Sequence, residues 1–160
     1  MNMYEINSDT LCLLELGKEK TKVIEKEDEF IINENIHKII DESCRSFGSS
    51  LEGRLSGTKK LTNIRYKAPI LISEYLDLIL MPTGSRRGFK CHYIVFNSIK
   101  DYDNLSTEDK KGNYKSYISL NNNKKVYLEV NKGIIKNQMN KCAMLKHYLD
   151  LKNQQEKRYI

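Results

Sequence analysis

Residues 43–58, which read SCRSFGSSLEGRLSGT, constrain the fold more than any other part of this sequence. An apolar helical pattern runs into this stretch, with one face formed by Ile36, Ile39, Ile40, Ser43 and Phe47. Gly48 predicts the end of that helix, because glycine is common just after the last helical residue. Ser49 and Glu52 then have the spacing of a capping box at the start of a second helix. We therefore predict a helix–Gly–helix unit over about residues 35–58.

The predicted second helix is rich in small residues. Leu51 and Leu55 lie on one side, and a second group lies about 100° around the helix: Ser50, Gly53, Arg54 and Gly57. Two glycines in a short helix cost roughly 2 kcal/mol relative to alanine. Something is therefore expected to come close to this backbone, either another helix or a phosphate group.

The rest of the pattern predicts an α+β fold in one domain, residues 1–160, with a mainly antiparallel sheet. Short apolar or β-branched runs between turn residues predict strands over residues 4–6, 10–16, 21–26, 30–32, 70–72, 77–81 and 91–99, and a hairpin over 114–120 and 125–130. Residues 60–66 are expected to be extended, and the polar residues 100–113 to form a loop. A long helix is expected from about residue 132 to residue 155.

That last helix carries a narrow apolar seam, formed by Ile135, Met139, Cys142 and Leu149. A long amphipathic helix at a chain terminus is often a dimer element, so these four residues are the predicted oligomer interface. Packing of the same seam on the sheet would explain the pattern equally well.

Charge is distributed unevenly along the chain. Residues 1–42 hold eleven acidic and five basic side chains, residues 43–100 hold three and ten, and residues 101–160 hold seven and twelve. An acidic end followed by a basic middle is typical of a polyanion binder. The alternative is that a lysine-rich chain reflects only the composition of its genome.

The predicted DNA contacts combine this positive charge with the serines that precede the second helix: Arg45, Ser49, Ser50, Arg54, Lys59, Lys60, Arg65, Arg86 and Arg87. Glycines flank Arg86 and Arg87, which favours a mobile loop that inserts into the narrow minor groove of A·T-rich DNA. A solvated hairpin tip is the alternative for that loop. Arg45 also lies one turn after Asp41, so an i, i+4 ion pair is a structural use for it.

Patterns that carry catalysis or bind metals are weak in this sequence. Gly48 and Gly53 have the spacing of a phosphate loop, but the lysine and the hydroxyl residue that should follow are missing. Cys91 and His92 are adjacent, so in a strand they would point to opposite faces. The four cysteines form no CxxC pair. We therefore expect no enzyme activity, no metal and no cofactor.

The sequence also bears on the protein's location. Acidic residues at positions 5, 9 and 15 do not fit a secretory signal peptide. No apolar run approaches the 18 or more residues of a membrane span. We expect a cytoplasmic, nucleoid-associated protein without a membrane partner.

The stretch SCRSFGSSLEGRLSGT closely resembles the signature of ComK, the bacterial competence transcription factor family, in which SCRxFGSSxxGRxxGT is the most recognisable segment. The resemblance continues into KAPI at 67–70 and MPT at 81–83, and is weaker at residues 137–138. It is dense over 43–83 and thin elsewhere between residues 4 and 149.

This resemblance implies a transcriptional activator of DNA-uptake genes. Such a protein would bind paired A·T-rich boxes of double-stranded DNA as a dimer or higher oligomer, mainly through the minor groove, without a cofactor. RNA polymerase is a further candidate partner. The family's C-terminal segment, through which an adaptor delivers its members to a protease, has no clear counterpart in this sequence. The other hypothesis is a protein-interaction module, such as a regulatory paralogue without specific DNA binding of its own.

Overall fold

The computed structural model describes residues 3–84 and 90–157, and in these ranges it confirms an α+β fold. Every strand pair is antiparallel. A six-stranded sheet has the order β3-β2-β1-β6-β5-β4, and a three-stranded sheet has the order β7-β8-β9. The strands are β1 Thr10–Gly17, β2 Lys20–Glu25, β3 Glu29–Ile32, β4 Ile70–Ser73, β5 Leu78–Pro82, β6 Tyr93–Val95, β7 Ile99–Asn104, β8 Ser116–Leu120 and β9 Lys125–Leu128.

Three helices cover the large sheet: α1 Ile36–Ser46, α2 Leu51–Thr62 and α3 Lys132–Lys157. One face of the sheet packs against the apolar sides of α1 and α2. The other face packs against the small sheet and α3. Because both faces are covered, β4 and β5 are buried at every position and do not alternate between apolar and polar residues. Among the described residues, no helix is long and apolar enough to cross a membrane.

The predicted break between α1 and α2 is present, with Gly48 at φ +84°. The amide of Gly48 donates to Arg45 O at 3.0 Å, and the amide of Ser49 donates to Cys44 O at 3.1 Å. These two bonds form a Schellman motif, in which the left-handed residue after the helix is usually glycine. Phe47 lies at the helix end and is partly exposed, so its predicted place on the buried face was wrong.

The start and end of α2 differ from the predictions. Ser50, rather than Ser49, is the N-cap, and its Oγ accepts a hydrogen bond from the amide of Gly53 at 2.9 Å. The helix continues to Thr62, so residues 60–62 are helical and not extended. Helix-forming residues extend it past position 58, until Asn63 adopts a left-handed conformation at φ 62° and ends it.

The predicted strand 91–99 is divided between the two sheets. β6 is followed by a 3₁₀ turn, Phe96–Ser98, after which β7 enters the small sheet. The buried Ser98 hydroxyl lies 3.0 Å from Leu11 O and 2.7 Å from Val95 O, and stabilises this crossing. Residues 100–104 therefore belong to β7 and not to a loop. Their polarity arises because this edge strand is largely exposed.

The apolar seam of α3 packs within the monomer. Ile135 and Cys142 are fully buried against the sheets, and Met139 and Leu149 pack on the same cluster. Packing of the seam on the sheets, the alternative to an interface, therefore accounts for the apolar character of these residues. An interface formed by the seam would require α3 to leave the core, so the interface assignment is corrected for Ile135 and Cys142.

We expect Gly48→Val to lower the free energy of unfolding by about 1–3 kcal/mol, because a β-branched residue is strained at this φ. A Cβ at position 48 would meet no atom within 4 Å, so the effect would isolate backbone strain. Gly57→Ala is the matched control, since a Cβ there also meets nothing within 4 Å but the residue lies in regular helix. It should stabilise by about 0.5–1 kcal/mol. Urea unfolding of both variants checks this pair, and equal stabilities would contradict the assignment.

Candidate nucleic-acid interface

A cluster of cations lies where α2 ends. Lys59 and Lys60 occupy the last turn of α2, and Arg65 and Lys67 follow in the segment that leads to β4. Lys59, Arg65 and Lys67 line a cleft of about 840 Å³, whose apolar lining includes Leu55, Ile64 and Ile70. The helix ends here because Asn63 turns the chain, which brings the later cations beside the earlier ones.

Helix α3 fixes the segment that carries Arg65 and Lys67. The buried Gln138 side chain donates to Lys67 O and to Pro82 O, each at 2.9 Å. Lys67 has φ 46°, a left-handed conformation that is uncommon for a residue other than glycine. Lys141 Nζ donates to Tyr66 O at 2.8 Å and adds a fifth cation. We call Lys59, Lys60, Arg65, Lys67 and Lys141 the basic face.

The basic face is not neutralised by nearby acids. In the two described ranges, no ion pair includes any of its five residues. Glu52 is the single carboxylate among the described residues that line the cleft. Burial, and then the charge of Lys67, lower the pKa of Lys141. Like charges held together in this way favour an anionic ligand.

Arg54, a predicted DNA contact, does not have the accessible guanidinium that such a contact requires. It is half-buried, and its Nη2 donates to Ile72 O at 3.3 Å. Its Nε is buried and has no hydrogen-bond partner within the part of the chain described. The expectation was wrong because Arg54 lies on the same side of α2 as the buried Thr58, and not with Gly53 and Gly57, which are exposed.

The basic face lies at the C-terminal end of α2, a helix of twelve residues. The other predicted contacts lie before its N-terminal end: Arg45, Ser49 and Ser50. The predicted ion pair is present, since Arg45 Nε donates to Asp41 Oδ2 at 3.0 Å. Asp41 Oδ1 also accepts from the amide of Leu51 at 2.9 Å, which joins α1 to α2. Both bonds lower the pKa of Asp41, with the Leu51 amide as the larger cause.

Close packing explains one of the two glycines in α2. A Cβ at Gly53 would lie 2.8 Å from Ser49 Oγ and 3.1 Å from Ser50 Oγ. The close partner of this backbone is therefore the pair of serines that precede the helix. Gly57 has no such neighbour and faces open space.

Two predicted contacts, Arg86 and Arg87, lie outside the described residues. Three features of the site were not predicted from the sequence: the exposed ring of Tyr66, the contribution of Lys141 and the role of Gln138. Tyr66 is 82% exposed between two cations. The alternation Arg-Tyr-Lys at 65–67 is the signal that could have identified it. For Gln138 the signal was its polarity beside an apolar seam.

We expect Arg54→Ala to lower the free energy of unfolding by about 1–2 kcal/mol, since it removes the bond to Ile72 O and the packing of the arginine stem. Duplex affinity per folded molecule should not change. Thermal unfolding together with a DNA titration corrected for the folded fraction checks this. A weakened affinity at unchanged stability would make Arg54 a direct contact instead.

Cations without acidic partners among the described residues are typical of proteins that bind polyanions, and comparison with known proteins is consistent with that class. Residues 1–154 match the family described as ComK protein. The chain is 32% identical over 149 residues to the competence transcription factor of Bacillus subtilis (strain 168), an alignment that covers 91% of this chain and 74% of that protein. That relative is a transcription factor, which is not an enzyme class. No solved structure matches the chain.

These similarities identify a competence transcription regulator. The chain belongs to the ComK family.

Proposed function

We propose that this protein activates competence genes by binding A·T-rich duplex DNA through the basic face. The observation that carries the proposal is a group of five cations that form no ion pair within the described residues, in a region where Gln138 and Lys141 bind the backbone of Lys67 and Tyr66. Each of the five cations would neutralise about one phosphate charge, the lysines as point charges at the strands and Arg65 from within the groove. The protein would act in the cytoplasm, at the nucleoid, through a single domain of residues 1–160.

Minor-groove recognition is the mode that this face supports best. Apart from Lys59 and Lys60 in its last turn, helix α2 exposes Glu52, Ser56 and two glycines, and these offer few of the bidentate side chains that read the major groove. Arg65 instead combines a positive charge with a planar guanidinium, which suits a narrow A-tract groove. Tyr66 beside it would contact sugars or base edges. Arg86 and Arg87 are proposed as further groove contacts.

Salt dependence tests this proposal against the protein-interaction module. Five phosphate contacts per protomer predict that log K falls with log salt at a slope of about −4.5. Fluorescence anisotropy with an A·T-rich duplex over a range of salt concentrations measures it. Absence of duplex binding at low salt would favour the interaction module.

Oligomerisation would use the outer face of α3. Met144, Tyr148 and Leu151 recur at i, i+4 and i+7 and are 43%, 40% and 39% exposed. They lie opposite the buried residues of the same helix. We propose that a second copy of the chain covers this stripe, which would place two basic faces on paired boxes. RNA polymerase is a further proposed partner.

Met144→Glu should therefore give folded monomers, whereas Met139→Glu should lower the free energy of unfolding by about 2 kcal/mol or more, because it introduces a carboxylate beside the core. Sedimentation velocity and circular dichroism of the two variants check this. An unchanged sedimentation coefficient for Met144→Glu, in a protein that otherwise dimerises, would exclude the stripe as the interface.

A further inference from the structure

A second cleft, which shares no described lining residue with the first, lies between strands β1 to β3 and the β8–β9 hairpin. Its volume is about 370 Å³, within the range of sites that hold small ligands and too small for a duplex. Lysines from three parts of the fold line it: Lys22, Lys90, Lys124 and Lys125. Two carboxylates, Glu15 and Glu29, are among the described lining residues.

The lysines outnumber the free carboxylates in this cleft. Glu29 pairs with Lys22 at 3.4 Å and also with Lys124. Lys125 Nζ lies 4.6 Å from the centre of the Tyr117 ring and has no carboxylate partner among the described residues. Positive charge thus remains available for an anion.

Aromatic rings also line the cleft. The rings of Tyr114 and Tyr127 lie 5.9 Å apart at 39°, and Tyr114 is 40% exposed. Lys111 Nζ lies 4.5 Å from the centre of the Tyr127 ring. An exposed ring next to cations is the arrangement that stacks a nucleobase while holding its phosphate.

His92 adds a donor of fixed orientation. Its Nδ1 accepts from the amide of Glu15 at 3.0 Å, so the ring proton lies on Nε2. Burial, and then the charge of Lys90, lower the pKa of His92 to about 4, which keeps the ring neutral at neutral pH. No acceptor for Nε2 lies within hydrogen-bond distance among the residues described. A neutral ring nitrogen of this kind donates to a base or phosphate oxygen.

We propose that this cleft binds a nucleotide, with the base stacked on Tyr114 and the phosphate held by Lys90 and Lys125. The nucleotide is either free or part of a single strand, and both present the same base and phosphate. The site shares no residue with the basic face, so we expect nucleotide binding there to be independent of duplex binding.

Isothermal titration calorimetry of the full chain with dAMP, a dA pentanucleotide and inorganic phosphate tests the proposal. We expect dAMP or the pentanucleotide to bind at least tenfold more tightly than phosphate, and Tyr114→Leu to remove that difference. Lys125→Ala should weaken nucleotide binding about tenfold. Tyr75→Leu and Lys136→Ala, which alter exposed residues elsewhere, are the matched controls.

Tight binding of the pentanucleotide alone would assign the site to single strands, and equal binding of dAMP would assign it to free nucleotides. Nucleotide affinity no higher than that of phosphate, or an unchanged affinity in Tyr114→Leu, would overturn the proposal. The double variant Lys59→Ala with Arg65→Ala should keep nucleotide binding in full. Loss of nucleotide binding in that variant would also overturn the proposal, because the nucleotide would then bind at the basic face.

Discussion

Replacing Lys59 and Arg65 together with alanine is expected to weaken duplex binding roughly 100-fold at moderate salt, about tenfold for each lost charge-assisted contact. The slope of log K against log salt should become shallower by about 1.8, at about 0.9 per phosphate contact. Stability should change little, because neither residue takes part in an ion pair within the described ranges. Fluorescence anisotropy at four or more salt concentrations measures both quantities.

The control for this variant removes the same charge from another surface. Lys136 and Lys152 are exposed on α3 and lie outside the basic face. Their double alanine variant should retain a slope close to that of the unmodified protein. If both double variants weaken binding equally, net charge rather than the basic face governs affinity.

Gln138→Leu is expected to lower the free energy of unfolding by about 3–4 kcal/mol. The substitution removes two hydrogen bonds and leaves the carbonyls of Lys67 and Pro82 without their donor in a buried setting. It should also reduce duplex affinity per folded molecule, because Lys67 would lose the contact that fixes its left-handed backbone. Chemical unfolding and a DNA titration measure the two effects separately.

Asn137→Leu is the matched control, since Asn137 is exposed on the same helix turn and makes no such bonds. It should be neutral within about 0.5 kcal/mol. A Gln138→Leu variant as stable as Asn137→Leu would mean that α3 does not hold the basic face in place.

Local physics made much of the fold predictable. Gly48 ends α1 as its sequence context predicted, in a left-handed conformation. The side chain of Asn35, a residue type that favours this position, caps the start of α1 and accepts from the amides of His37 and Lys38. Periodicity identified the apolar seam of α3, but it did not identify the surface against which the seam packs. A period of 3.6 residues identifies the apolar side of a helix but not whether it faces a sheet or a second subunit.

The site was predictable only in part, because tertiary contacts assemble it. Lys59, Lys60 and Arg65 were identified from charge, and the structure brings them together where Asn63 ends α2. Gln138 lies about 70 residues from Lys67 in the sequence, so no local pattern could pair them. The burial of Arg54 depends on which side of α2 packs on the sheet, and tertiary contacts such as the bond to Ile72 O determine that side.

The most direct measurement compares three duplexes that differ only in the recognised boxes: A·T pairs, G·C pairs and inosine·C pairs. An inosine·C pair lacks the guanine amino group, so its minor groove resembles that of A·T while its major groove resembles that of G·C. We predict that the protein binds the A·T and inosine·C duplexes with similar affinity and the G·C duplex at least tenfold more weakly. Equal affinity for the inosine·C and G·C duplexes, both weaker than for A·T, would contradict minor-groove recognition.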